Sequence, residues 1–290
     1  MARPIPVIDG LAEIVADYDA FLIDVWGVLH GGDAAFPGAA DCLRRIRAAG
    51  KRVVVLSNAP RRAALIARQL AERGIAESDH DLLMTSGEAT WLALHDRSDP
   101  FYRALGRRCY DLGPNRYRGL TDGLDLDFVP EIDEADFILG DGPDRELDQV
   151  ADYEDLLRRA AARGLPFICA NPDVEVIDKG RRLICAGTIA RRYAELGGPV
   201  RQLGKPYPEV YERCFAAVGG PARVLAIGDG LRTDILGAAR AGIDALLVTR
   251  GVHAETLGLG PGDRPEAGAV GALCAEHDLW PRAAIATLRW

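Results

Sequence analysis

The sequence predicts an α/β protein, in which a parallel sheet flanked by helices is interrupted by a second α/β domain. Short apolar runs alternate with segments of helical period in two blocks, one ending near residue 85 and the other beginning near residue 200. Repeated βα units of this kind pair their strands in parallel and place helices on both faces of the sheet. The stretch between the blocks carries strands and helices of its own. The expected boundaries are therefore 1–85 with 200–290 for a core and 86–199 for an insertion.

The elements follow in order. Residues 20–24 (AFLID) are an apolar run ending in an acid, which reads as a buried strand. Residues 38–49 space their apolar side chains as a helix does and stop at Gly50. A strand over 51–58 leads to a helix that Pro60 opens and Gly74 closes. In the insertion, 137–142 and 166–173 read as strands around a helix over 147–164. The second block starts with a strand from Arg201 into Gly204 and a helix from Pro208 to Val218. It continues with the strand VLAIGD, the helix DILGAARAG and the strand ALLVTRG.

Composition narrows the function classes. The chain has 290 residues, 48% of them hydrophobic, and a formal net charge of -8. A protein built to coat nucleic acid shows a basic face, so no nucleic-acid partner is expected. Six cysteines occur without a C-x-x-C pair, several in apolar runs. They read as buried, reduced thiols and point to a cytoplasmic protein. The N-terminal residues carry acids at short intervals, so no signal peptide is expected. No stretch approaches the ~20 apolar residues of a membrane span, and no membrane partner is expected.

Four segments carry chemistry. In FLIDVWGVLHGG, Asp24 ends a buried strand, where open α/β sheets bind ligands; it reads as a nucleophile, a metal ligand or a simple turn cap. In VVVLSNAP, Ser57 and Asn58 lie ahead of a helix start, a phosphate cradle or an ordinary N-cap. In LGKPYPEVY, Lys205 sits between Gly204 and Pro206, a rigid turn that would aim its ammonium at a phosphate or carboxylate unless it is simply solvated. In VLAIGDGLRTDILGAARAG, Asp229 and Asp234 form a magnesium-type acid pair, or else a turn and a helix cap.

In order and combination, these four segments resemble the sequence motifs of the haloacid dehalogenase superfamily. TSGEAT, CANPD and GKPYPEVY resemble its class IIA, which includes nitrophenyl-, nucleotide-, sugar- and pyridoxal-phosphate phosphatases. Only 33 residues separate Asp24 from Ser57, too few for a helical cap, whereas 148 separate Ser57 from Lys205, enough for a large α/β cap. The resemblance implies a Rossmann-like parallel-sheet core with an inserted α/β cap that covers the active site and selects the substrate. It implies hydrolysis of a small phosphorylated metabolite with Mg²⁺ through an aspartyl-phosphate. Asp24 would be the nucleophile, and Ser57, the Asn58 backbone and Lys205 would hold the phosphoryl oxygens. Asp24, Asp229 and the Trp26 carbonyl would ligate the metal, with Asp234 supporting it. Asn171, Asp173, Lys179, Arg181 and Arg182 fall where related caps carry a specificity loop, or else form a solvated charged turn. Caps of this class often mediate dimers, so a homodimer is the assembly the resemblance suggests.

One position departs from the pattern. Related phosphatases carry an acid two residues after the nucleophile, where this chain has Trp26. Losing a positioned general acid–base typically costs about 10²–10⁴-fold. Three readings follow: a phosphatase working on good leaving groups or borrowing a proton donor such as His30, a sensor of a phosphorylated ligand, or a dehalogenase-type hydrolase. The fourth segment and the short Asp24–Ser57 spacing disfavour the last. If the indole of Trp26 is buried and supports the cap, replacing it would cost about 3–5 kcal/mol of stability.

Overall fold

The computed structural model describes residues 3–113, 119–178, 181–260 and 262–290. They form two compact units. The first comprises residues up to Ser57, Ala64–Met84 and Lys205–Trp290; the second comprises Asn58–Ala63 and Thr85–Gly204.

The first unit is built on a seven-stranded sheet. Across it the strands run Val7–Ile8, Ala283–Ile285, Asp244–Val248, Val224–Gly228, Ala20–Ile23, Arg52–Ser57 and Leu82–Thr85. The pairings from Val7–Ile8 through Arg52–Ser57 are parallel. Ala20–Ile23 and Val224–Gly228 are buried at every position, which explains why they read as unbroken apolar runs rather than alternating ones. The helix Ala39–Ala48 buries Cys42, Leu43 and Ile46, the near face of its helical repeat. Burying leucine and isoleucine side chains of this kind contributes roughly 1.5–3 kcal/mol each. The helix ends where Gly50 takes φ +75° and Lys51 N–H reaches back to the Ile46 carbonyl at 3.3 Å.

Strand order positions the site. From Ala20–Ile23 the chain moves outward to Arg52–Ser57 and Leu82–Thr85; from Val224–Gly228 it moves the opposite way. The two central strands therefore flank a topological switch point, where open α/β sheets form a crevice at the strands' C-terminal ends. Asp24 and Asp229 each follow directly on one of these strands.

The second unit holds a five-stranded sheet in the order Val200–Gln202, Phe167–Cys169, Phe137–Gly140, Arg108–Leu112 and Asp127–Phe128, all paired in parallel. An antiparallel pair, Glu175–Asp178 with Arg181–Ile184, lies apart from it. Its core gathers Leu157, Phe167, Ile189 and Tyr193, and the Tyr193 hydroxyl donates to the Leu165 carbonyl at 2.6 Å. All six cysteines of the chain are buried and free. Among the described residues no helix is long and apolar enough to cross a membrane.

Several elements differ from expectation. The helix predicted from Pro60 begins at Ala63. Residues 59–62 instead run against the start of the helix Ser86–Asp96: Gly87 N–H donates to the Ala59 carbonyl, and Glu88 accepts from the Arg62 side chain and the Ala63 N–H. The strand expected to open the second block, Val200–Gln202, pairs with Phe167–Cys169 and so belongs to the second unit's sheet. The helix predicted from residue 147 is α-helical only from Glu154, after a 3₁₀ turn over Val150–Tyr153.

Candidate active site

Three adjacent strand ends bring Asp229, Asp24 and Ser57 to one edge of the first unit's sheet. Ile23 lies opposite both Ile227 and Val55, and Asp24 N–H donates to the Ile227 carbonyl at 2.9 Å. The register thus sets Asp24 beside Gly228, one residue before Asp229. One oxygen from each of Asp24, Asp229 and Asp234 lies within 4.8 Å of the others. All three side chains are shielded from solvent; that of Asp24 is only 12% exposed.

Lys205 reaches into this group. Its Nζ lies 2.5 Å from Asp24 Oδ1 and 2.7 Å from Asp234 Oδ1, in a residue that is 3% exposed. Asp24 Oδ1 also accepts from Val25 N–H at 2.7 Å. Both contacts fall on Oδ1, and among the described residues Oδ2 stays open to act on a ligand.

Asp234 is aimed by local backbone geometry. Residues Leu231–Ile235 form a π-helical turn, and the Gly230 carbonyl accepts from both Asp234 N–H (2.9 Å) and Ile235 N–H (3.1 Å). Such a turn carries an extra residue and re-aims the side chains on it, and turns of this type recur at functional sites. Asp234 Oδ2 accepts from Gly230 N–H at 3.0 Å and from the Thr233 hydroxyl at 3.2 Å, while Oδ1 takes the lysine. Sequence reading placed Asp234 at a helix start; the α-helix begins at Leu236 instead.

Glycines make room for the carboxylates. A Cβ on Gly27 would lie 2.0 Å from Asp229 Oδ2, and one on Gly251 would lie 1.8 Å from the same atom. Gly228 is pressed equally closely against Asp234. Val252 N–H donates to Asp229 Oδ2 at 2.8 Å. Thr233, Gly251 and Val252 are contributors that sequence reading missed. Only the Thr-Arg-Gly ending of the strand that includes Asp244–Val248 hinted at the second and third.

The charge balance is incomplete. Fully ionised, the three carboxylates would face one ammonium and leave two negative charges uncompensated. Burial, then Asp234, drives the Asp24 carboxyl well above its ordinary range, against the pull of Lys205. Burial and Asp234 push Asp229 up to about 7, although the Val252 N–H opposes this. Burial alone would lower the Lys205 pKa, but Asp234 and Asp24 outweigh it and hold the ammonium charged. Oxygen donors with a net deficit of two positive charges are the donor set that suits a hard divalent cation. The Trp26 carbonyl accepts no hydrogen bond among the described residues and is open to the same use.

Trp26 itself is 53% exposed. The condition under which its replacement would be costly, a buried indole, is therefore not met. Its backbone bridges to His30, whose carbonyl accepts Gly27 N–H, so the loop turns the ring outward with one edge against His30, centroids 5.4 Å apart. His30 is buried, and its Nδ1 accepts from Gly32 N–H at 3.2 Å. Burial, with Arg73 nearby, lowers its pKa, so the ring is neutral at pH 7 with its proton on Nε2.

The remaining candidates lie in the second unit. The Asn58 side-chain amide donates to Asp173 at 2.8 Å, and Asp173 N–H donates to Asn171 Oδ1 at 3.2 Å, so these three form one network. Arg182 pairs with Glu175 at 2.7 Å and Arg181 with Glu146, both on the surface. Lys179 lies outside the described residues.

A family described as haloacid dehalogenase-like hydrolase matches residues 21–126, and one described as HAD-hydrolase-like matches residues 202–271. A crystal structure of a haloacid dehalogenase-like hydrolase from Brucella suis 1330 is 34% identical, with a TM-score of 0.78 over 97% of this chain and 99% of that one. Ribonucleotide monophosphatase NagD of Escherichia coli K12 is 28% identical over 239 residues, 80% of this chain and 87% of its own length. A glycerol phosphate phosphatase from Mycobacterium tuberculosis, solved in complex with calcium, is 26% identical with a TM-score of 0.63, covering 82% of this chain and 68% of that one. The chain belongs to the haloacid dehalogenase-like hydrolases. Within them it falls in class IIA.

Proposed function

We propose that this protein is a magnesium-dependent phosphomonoester hydrolase acting on a small phosphorylated metabolite, with the first unit as catalytic core and the second as cap. The observation that carries the proposal is the pairing of Asp24 with Lys205 at the switch point: a buried carboxylate with one oxygen pinned and the other left to react. The phosphatase names of the relatives support the reaction class, and the calcium complex of one relative supports a divalent cation.

Asp24, Asp229 and the Trp26 carbonyl would hold Mg²⁺, with Asp234 beside them. When bound, the ion would supply Lewis-acid neutralisation of the charge on the transferring phosphoryl group. Asp24 Oδ2 attacks phosphorus, the bond from phosphorus to the leaving oxygen breaks, and an aspartyl-phosphate remains. Lys205, the Ser57 hydroxyl and the Asn58 backbone would bind the phosphoryl oxygens and keep the group in line with Asp24. Water then attacks the phosphorus, releasing inorganic phosphate and restoring the carboxylate. Asp234 orients Lys205 throughout through its 2.7 Å contact. Asn171, Asp173, Arg181 and Arg182, with Lys179, are proposed to meet the leaving group. The ion pairs of both arginines would have to open for that purpose. A binding protein without turnover is the second reading, favoured by Trp26 alone, since that side chain offers no carboxyl proton.

A screen over phosphomonoesters with Mg²⁺, repeated in excess chelator and with Asp24→Asn, tests the proposal. Turnover is expected only in the wild type with metal. Because Asp229 is pushed up to about 7 without a cation, metal binding must displace a proton below that pH, and Mg²⁺ affinity should rise as pH climbs toward 7. Full activity in chelator would overturn the metal assignment. No turnover of any ester, with measurable binding of one, would favour the second reading.

A further inference from the structure

A cavity of about 100 Å³ opens beyond the C-terminal ends of three strands at the far edge of the first unit's sheet. Its walls come from the residues that follow Val7–Ile8, Asp244–Val248 and Ala283–Ile285, and it presents three guanidinium groups, Arg250, Arg264 and Arg289. Two carboxylates share the space. Asp9 lies 3.4 Å from Arg264 and 4.0 Å from Arg289. Asp263 spends an oxygen on Gly260 N–H at 2.7 Å and makes no ion pair among the described residues. Three cations against two anions leave one positive charge in excess.

Arg250 is where that excess sits. It is partly buried, it donates through Nη2 to the Gly260 carbonyl at 2.8 Å, and no carboxylate among the described residues lies within ion-pair distance. Its Nε is buried and has no hydrogen-bond partner among the described residues. The charge on this guanidinium, which no carboxylate among the described residues matches, calls for an anion at the cavity wall. Planar guanidinium forks match the geometry of phosphate oxygens. A cavity smaller than the roughly 150 Å³ that accommodates benzene suits a bare tetrahedral ion rather than a larger ester.

We propose that this cavity is an accessory oxyanion site, taking inorganic phosphate against Arg250 with Arg264 and Arg289 at its rim. It is separate from the carboxylate site but tied to it through the backbone. Arg250 N–H donates to the Ala286 carbonyl at 3.1 Å, and the next two residues, Gly251 and Val252, pack on and hydrogen-bond to Asp229. An ion held by Arg250 therefore fixes the root of the loop that positions Asp229, and links free phosphate to the geometry of the carboxylate site.

The test uses the full chain, in chelator, with inorganic phosphate as the probe and chloride at equal ionic strength as the control. Lys205→Met removes the cation of the carboxylate site, so phosphate bound by that variant must sit elsewhere. Calorimetry on Lys205→Met should find one phosphate per chain, with a rise in melting temperature that chloride does not reproduce. Adding Arg250→Met should lower phosphate affinity at least tenfold and remove the rise, while circular dichroism confirms the fold. Arg250→Lys should bind more weakly than arginine, because it keeps the charge and loses the planar fork. Unchanged phosphate binding in the Arg250→Met background, or no binding by Lys205→Met that circular dichroism shows to be folded, overturns the proposal. Neither result depends on turnover, so failure here leaves the phosphatase reading intact.

Discussion

Trp26→Asp should raise the turnover of alkyl phosphates by about 10²–10⁴-fold, the usual contribution of a positioned general acid–base. Trp26 offers the leaving oxygen no carboxyl proton, so the wild type should favour aryl phosphates, whose phenolates leave without one. The half-exposed indole makes the substitution practical. With 53% of Trp26 in solvent, its removal forfeits little packing, and the variant should fold as the wild type does. His30 is a poor substitute: it is buried and neutral at pH 7. Steady-state rates on paired aryl and alkyl esters decide the matter. Equal wild-type rates on both classes would show that another group supplies the proton.

Lys205→Met should abolish turnover and destabilise the metal-free protein by about 3–5 kcal/mol, the range expected when one partner of a buried ion pair is removed. The lysine is 3% exposed and sits between Asp24 and Asp234, so its loss leaves two carboxylates facing each other in a shielded site. The direction with pH follows. Burial and Asp234 already raise the Asp24 pKa, and removing Lys205 withdraws the main opposing pull. The variant must then bind a proton to fold, so its deficit should shrink as pH falls and grow as pH rises. Urea unfolding in chelator at several pH values measures this. Unchanged stability would mean the ammonium is not held where the structure places it.

Much of the geometry was legible because its causes are local. Asp24 and Asp229 follow apolar strands buried on both faces, so the pattern announced both the strand and its end. Lys205 stood out between Gly204 and Pro206. What stayed hidden depends on tertiary contact. The Asp234–Lys205 pair needs the π-turn, which arises from one carbonyl accepting two N–H groups and leaves no periodic trace. Gly251 matters through its approach to Asp229, 22 residues earlier in the chain. The late start of the helix at Ala63 reflects Glu88 and Gly87 holding residues 59–63, and nothing near Pro60 signals this. Val200–Gln202 is too short to declare its sheet; its partner Phe167–Cys169 decides it. The outward turn of Trp26 is set by its bridge to His30, whereas an isolated tryptophan in an apolar segment suggests burial.

The most direct test of the central claim, that Asp24 is the nucleophile, is to trap the covalent intermediate. Wild-type protein mixed with an aryl phosphate and Mg²⁺ would be quenched in acid within a turnover, digested, and analysed by mass spectrometry. With no carboxylate at Trp26 to activate water, the aspartyl-phosphate should break down slowly and accumulate. The account predicts one phosphoryl group, on the peptide containing Asp24, and none on Asp24→Asn. Turnover with no phosphorylated peptide, or with phosphate on Ser57 or another residue, would contradict it.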